Sequence, residues 1–220
     1  ETWGTELSLT SSKYAKEKLK LKIQNAELIS CGFEADYFDL ITMYHSLEHL
    51  TNPLETIREV HRILKPEGVA LIEVPRFDCW MSLLFKANWF HLDVPRHLYH
   101  FEDTTLEKFI ISAGCKIIRK KRYAIMYDSF GGLQSFLNCC CARKNLLNDI
   151  NTKRVSAKEI FGSGSRRDKF EVVISFLGQF LLFPLFILIT LCLAAFNKGG
   201  TLVYFFKKSQ PCLDINQTGN

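Results

Sequence analysis

The run Tyr37–Gly68, YFDLITMYHSLEHLTNPLETIREVHRILKPEG, constrains the fold of this chain more than any other stretch. Phe38–Met43 is a continuous apolar run, the pattern of a strand covered on both faces of a sheet. Asn52 stands where a helix is capped, Pro53 suits the first helical position, and Glu55 lies three residues beyond the cap. Leu54, Ile57, Val60, His61 and Leu64 then share one helix face, and Lys65-Pro66-Glu67-Gly68 stops the helix. Between strand and helix lies a polar cluster, His45, Glu48 and His49. Open α/β sheets place their chemistry where a buried strand gives way to a loop.

The flanking sequence repeats the theme. Trp3–Leu7, carrying Glu6, reads as the tail of a strand, and Ser11–Leu21 as a charged helix. Lys22–Leu28 and Val69–Val74 fit strands, the second closed by Pro75. Thr104–Ala113 fits a helix ended by Gly114, and Cys115–Arg122 a further strand. Alternation of this kind predicts an α/β fold with a mostly parallel sheet covered by helices. Asp78–Phe101 reads as a long loop that gathers His91, Asp93, Arg96, His97 and His100. Loops on a rigid sheet are where binding groups accumulate.

At 220 residues the chain holds one full domain and room for an appendage. Its net charge of +5 is concentrated in Lys116–Arg122 and Lys153–Lys169. An apolar segment follows the second cluster, so a membrane surface is preferred to nucleic acid as the partner of this basic face, with a plain solvated face as the equal alternative. The eight Cys form no CxxC pair and no Cys/His spacing of a zinc site. With no secretory signal, this points to a reducing, cytoplasmic setting. The triplet Cys139–Cys141 reads as three small buried apolar residues. The chain starts with Glu1 rather than Met, the expectation for a fragment or a processed product.

Val172–Phe196 contains no charged residue, with Ser175, Gln179 and Thr190 as its polar interruptions. Three readings compete: a hairpin or in-plane helix in one leaflet, with a membrane-dipping or monotopic hairpin favoured, a buried helical cap, and a transmembrane span. Gly178 and Pro184 are placed to break the run into two helices. Basic residues flank both ends, so no orientation bias favours a span. Thr201–Lys208 reads as a strand; if it returns to the same sheet, a single crossing is impossible.

The segments LEHL-x-NP-L and LDVPRHLYHF together resemble class I S-adenosylmethionine-dependent methyltransferases, in particular the type-11/23 group that includes ubiquinone-biosynthesis-like O-methyltransferases. In that family FDLI is the fourth strand, ILKPEG the turn before the fifth, LIEVP the fifth, and GGTLVYFFKK resembles the last. The resemblance covers roughly Trp3–Tyr123 and Lys198–Lys208. It implies a Rossmann-like sheet whose first strand and Gly-rich turn are missing from this sequence, with a hydrophobic helical insertion before the last strand. The implied organisation is a core over 1–125, an acceptor-side insertion over 126–197, the final strand over 198–208 and a disordered tail over 209–220.

S-adenosylmethionine is the cofactor the resemblance implies. Glu6 matches the acidic residue that holds the cofactor's ribose hydroxyls, and Glu27 and Leu28 match the adenine-contacting positions, where Asp is usual at the first. Tyr44 and His45 match the loop lining the methyl end. Methyl transfer from a sulfonium is an in-line displacement that needs alignment and, for a hydroxyl acceptor, a base. His45 and His97 are the candidate catalytic residues, and His49, His91 and Arg96 the candidate substrate contacts. No metal is assigned; a cation on His45, Glu48 and His49 is disfavoured because Mg²⁺ prefers oxygen ligands. The expected function is methyl transfer to a small-molecule, lipid-like or membrane-proximal acceptor, in the cytoplasm and attached to the membrane through 172–196. The alternative is a non-catalytic or truncated methyltransferase-like module with an incomplete cofactor site.

Overall fold

The computed structural model describes residues 1–209. The expected tail thus lies, from residue 210 on, outside the described residues. In chain order the elements are β1 (Gly4–Thr5), α1 (Leu9–Glu17), β2 (Ile23–Gln24), β3 (Phe38–Tyr44), α2 (Pro53–Ile63) and β4 (Leu64–Pro75). After them come α3 (Trp80–Phe85), α4 (Asp103–Ser112), β5 (Cys115–Lys121) and α5 (Ile125–Cys140). The chain continues through α6 (Leu146–Asn151), α7 (Ala157–Ser163), α8 (Arg166–Leu181), α9 (Phe183–Ala195) and β6 (Thr201–Lys208).

The strands form two sheets. β1 and β2 pair in parallel, and a four-stranded sheet has the order β3-β4-β6-β5. β3 runs parallel to β4, while β6 inserts antiparallel between β4 and β5. The sheet is therefore mixed rather than mostly parallel. The short connection from α9 into β6 reverses the chain onto β4, where a parallel neighbour would need a crossover. Among the described residues no strand pairs with β3 on its side away from β4.

The main core lies between the four-stranded sheet and α2 and α4. Ile57, Val60, Ile72, Leu106, Ile110 and Phe206 are fully buried there, each contributing about 1.5–3 kcal/mol by removal from water. α2 buries Pro53, Thr56, Ile57, Val60 and Ile63, so its inner face is turned slightly from the one expected through Leu54 and His61. Asn52 is the N-cap residue without a side-chain capping bond; its carbonyl instead accepts from the Thr56 amide and hydroxyl. Asp103 ties the layers: its Oδ1 accepts from the Tyr204 hydroxyl at 2.5 Å and its Oδ2 from Arg122 at 2.6 Å.

β3 departs from the two-face expectation. Leu40 and Tyr44 are exposed at 61% and 58%, because α2 and α4 cover only one face and the other opens onto a cavity shared with β1.

α5 and α9 pack along one another around a second core of Leu133, Leu137, Leu147 and Phe186. α8 and α9 break at Leu182 and bend by 50°. Pro184, in the first turn of α9, explains the break, since its ring and missing N–H stop the preceding helix from continuing. The pair is thus a kinked rod and not the fold-back hairpin the sequence favoured. Among the described residues no single helix is long and apolar enough to cross a membrane. The cysteine triplet also differs from expectation. Cys139 and Cys140, in the last turn of α5, are exposed, and only Cys141 is buried.

Candidate functional site

Between β1 and β3 lies a cavity of about 1040 Å³. Its walls include the whole of β1, the Ala26–Leu28 segment after β2, all of β3, and the loop that follows. Glu6, Glu27, Leu28, Tyr44, His45 and His49 all line it. The Glu6 carboxylate is held at the end of β1 by the Ser8 amide, which donates to Oε1 at 2.7 Å. Asn25 Nδ2 donates to the Glu6 carbonyl at 2.7 Å, fixing the turn between β1 and the segment after β2. Glu27 is extended and leads into a 3-10 turn over Leu28–Ser30.

His45 sits at the carboxyl end of β3 with φ +46°, a left-handed conformation uncommon for a side-chain-bearing residue. That turn aims its ring inward. Nε2 lies 3.0 Å from Glu73 Oε1 at the end of β4, and Nδ1 lies 3.5 Å from Glu48 Oε1, an ion-pair distance rather than a good hydrogen bond. The His45 ring stacks on Tyr127, from the first turn of α5, at 3.6 Å between centroids. Burial works to lower the His45 pKa, and the Glu48 and Glu73 carboxylates outweigh it and hold the value above 6.5.

His91 stacks on Tyr127 at 4.7 Å. It is buried, with Nε2 lacking a hydrogen-bond partner among the described residues. Burial first, then the neighbouring His45 and His97, pushes its pKa well below the ordinary imidazole value. Neither His91, His97 nor Arg96 lines the cavity; they stand behind the His45–His49 wall. Arg96 is engaged by Asp93 in a salt bridge, with Nη2 2.7 Å from Oδ2.

Glu48, His49 and His97 form the tightest ligating group, each offering an atom within 4.8 Å of the others. Glu48 is 1% exposed, and neither carboxylate oxygen has a hydrogen-bond partner among the described residues. His49 Nδ1 lies 2.9 Å from the Arg96 carbonyl and His97 Nδ1 2.8 Å from the His91 carbonyl. Each ring donates from Nδ1 to a carbonyl and turns its Nε2 the other way, the orientation that metal-ligating imidazoles adopt. His97 replaces His45 in the cation set weighed from sequence, because both nitrogens of His45 face carboxylates. The Leu98 and Tyr99 amides donate to the Glu48 carbonyl at 2.9 and 3.2 Å, locking the two loops together.

Sequence reasoning missed Glu73 and Tyr127. Glu73 carried a usable signal, being the one acidic residue in the buried run Val69–Pro75 at the strand end that adjoins the site. Tyr127 carried none, since it reaches His45 only through the packing of α5.

A cavity walled by parallel strands, with carboxylates at the ends of β1 and β2 and a polar loop after β3, defines an α/β protein built to hold a nucleotide-like cofactor. The chain belongs to the methyltransferase domain family, whose family model matches residues 1–120. It is 30% identical over 118 residues to the demethylmenaquinone methyltransferase of Chlamydia muridarum, an alignment covering 44% of this chain and 51% of that protein. The chain thus spans about half the length of that curated relative. Among solved structures it resembles a putative sarcosine dimethylglycine methyltransferase from Galdieria sulphuraria, with TM-score 0.55 and 13% identity over 94% of this chain and 69% of that one. It also resembles a SAM-dependent methyltransferase from Archaeoglobus fulgidus, with TM-score 0.53 and 16% identity over 94% and 76% of the two chains. At these identities the structures speak for the Rossmann-like fold alone.

Family membership implies S-adenosylmethionine as the cofactor, and the residues present fit it on the walls they form. Glu6 offers a carboxylate anchored from behind, suited to a diol, and Leu28 and Tyr44 offer apolar and aromatic surface beside it.

Proposed function

We propose that the protein transfers a methyl group from S-adenosylmethionine to a small, lipid-like acceptor met at a membrane surface on the cytoplasmic side. The observation that carries this reading is the single cavity onto which Glu6, Glu27, Leu28 and Tyr44 open together with His45 and His49. The cofactor supplies an electrophilic methyl group on a sulfonium. The protein's part is alignment and proton handling. Glu6 holds the ribose end, and Tyr44 and His45 bound the methyl end. The group of His45 with Glu48 and Glu73 takes up the proton an acceptor hydroxyl loses; both His45 nitrogens face the carboxylates, which relay the proton to the ring and stabilise the resulting imidazolium. Its raised pKa suits that role near neutral pH. His97 lies behind it as a second imidazole against Glu48; His49 bounds the acceptor side, and His91 and Arg96 back that wall. A lipid-like acceptor is supported by the relative named for demethylmenaquinone and by the apolar α8–α9 segment.

A second reading, a methyltransferase-like module that does not close a cofactor site, is favoured by one observation: β1 and β3 face the cavity with no strand between them among the described residues. Isothermal titration with S-adenosylmethionine separates the two. Micromolar binding that Glu6→Ala weakens about tenfold, the loss of roughly one charge-assisted hydrogen bond, supports the enzyme reading. No heat from the folded chain supports the second.

A further inference from the structure

We infer that the outer face of α8 and α9 seats in the headgroup–acyl boundary of an anionic lipid bilayer, with both helices lying in the membrane plane. This rests on the membrane-proximal part of the function proposed above and names the surface, its orientation and the lipid charge it takes.

The two helices are patterned inside out. Phe170, Val173, Leu177, Phe180, Leu188 and Phe196 recur at helical spacing and are all exposed, Phe180 by 77% and Phe196 by 75%. The polar residues Glu171, Ser175 and Thr190 are turned inward and buried. A helix facing water shows the reverse order. An apolar stripe this long on a water-facing surface is costly, and it continues unbroken across the kink from α8 into α9.

The inner face is finished. Glu171 accepts from the Ala142 and Arg143 amides at 3.0 and 3.2 Å and from Arg167 Nε at 3.1 Å, and the Ser175 hydroxyl donates to the Glu171 carbonyl. Glycines bring the helices close: a Cβ on Gly178 would stand 3.0 Å from Leu137, and one on Gly132 would stand 2.7 Å from Phe186. Small residues at contacts and polar residues turned inward are how helices pack where their outer surface meets lipid. α9 is held along α5, and its end leads in a few residues to β6 inside the sheet, so the rod lies on the body of the protein and does not leave it.

Charge names the lipid. The segment 143–171 carries eight Lys and Arg against four Asp and Glu, a net charge of +4. It includes α6 and α7, which pack against α8, and Arg166 and Arg167 are exposed in the first turn of α8. From Val172 to Asn197 there is no charge at all. A basic collar beside an uncharged apolar stripe is complementary to an anionic membrane surface. A second copy of this chain would bring two collars of the same sign together.

The test is flotation of the chain with vesicles of phosphatidylcholine, with and without phosphatidylglycerol, at low and high salt. The expected result is binding at least about tenfold stronger to the anionic vesicles, weakened by salt. Phe180→Asp with Leu188→Asp abolishes it while the circular dichroism spectrum is kept. As a measurement that needs no disruptive change, an environment-sensitive fluorophore on exposed Cys192, with Cys31, Cys139, Cys140 and Cys212 replaced by Ser, shifts to the blue on adding anionic vesicles. Absence of flotation and of the shift overturns the proposal. So does a wild-type dimer in sedimentation that anionic vesicles leave intact and the double Asp variant dissociates. None of these outcomes depends on cofactor binding, so calorimetry with S-adenosylmethionine tests the methyltransferase reading separately.

Discussion

His45 and Glu73 face each other across adjacent parallel strands, Nε2 to Oε1 at 3.0 Å, with the His45 amide also donating to the Glu73 carbonyl at 2.9 Å. Side chain and backbone therefore fix the imidazole twice. The geometry places the raised proton affinity of His45 at the wall of the cavity.

Glu73→Gln is expected to lower the His45 pKa and to destabilise the fold by about 1–2 kcal/mol, the value of a charge-assisted hydrogen bond. The folded pKa is raised, so the pair's contribution is full below the ordinary value of 6.5 and is lost as pH rises through the raised folded value. The stability gap between wild type and variant should narrow over that window. Chemical-denaturation curves from mildly acidic to alkaline pH, with NMR titration of the His45 ring, check both. An unchanged His45 titration would count against the pairing.

A loss of stability in the same direction, as pH rises, is expected at Asp128, but through a buried acid. Burial pushes its carboxyl up to about 6, against donors from Thr201 Oγ1 at 2.5 Å, Gly200 at 2.9 Å and Ala124 at 3.3 Å. The folded value lies above that of the unfolded chain, so folding favours the protonated acid. Stability is full below pH of about 4 and declines, on the order of 3 kcal/mol, as pH rises through about 6. Asp128 anchors the start of β6 to α5, so the decline should appear first as exchange of the Gly200 amide. Hydrogen exchange followed across this range measures it, and Asp128→Asn should flatten the dependence.

Much of the cavity was legible because local patterns fix it. Acidic residues at the ends of β1 and β2, and a polar loop after an apolar strand, must point the same way when strands run parallel; hence Glu6, Glu27, Leu28, Tyr44, His45 and His49 meet at one cavity. His91 and Arg96 were read from residue type in a loop, and type does not say which way a loop side chain turns. Tyr127 depends on how α5 docks, a contact between segments more than eighty residues apart. The exposed face of β3 was hidden for another reason: an apolar run looks the same whether one or both faces are covered. The kink was signalled by Pro184, but a break does not specify its angle, and the structure bends the rod by 50° where a hairpin would reverse it.

Gly131→Ala tests the stack behind His45. A helix interior gains about 1 kcal/mol from this change by propensity alone. Here the added Cβ would run into His91 Nε2, on a buried ring that packs between Trp89, Phe90 and Tyr127. Overpacking of this kind costs about 1–3 kcal/mol, so the steric effect wins and the variant is expected to be less stable. His91 must shift off Tyr127, which thermal melts together with the ring-shifted NMR resonances of Tyr127 should register. A more stable variant with an unmoved stack would overturn this placement of α5.

Thiol labelling tests the C-terminal end of α5. Cys139 and Cys140 are exposed on its last turn, while Cys79 and Cys115 lie in the cores and Cys141 is buried as the helix ends. Burial raises the pKa of all three enclosed thiols, that of Cys115 to about 11. Reaction requires both access and thiolate. Native-state alkylation at neutral pH, read by peptide mass spectrometry, should modify Cys139 and Cys140 in the first phase, and Cys79, Cys115 and Cys141 only on unfolding. At Cys115, a pKa two units above the 9.0 of a free thiol leaves about a hundredfold less thiolate, on top of steric protection. Early modification of Cys141 would show that α5 frays before its last turn, and early modification of Cys115 would place the β5–β6 pairing in error.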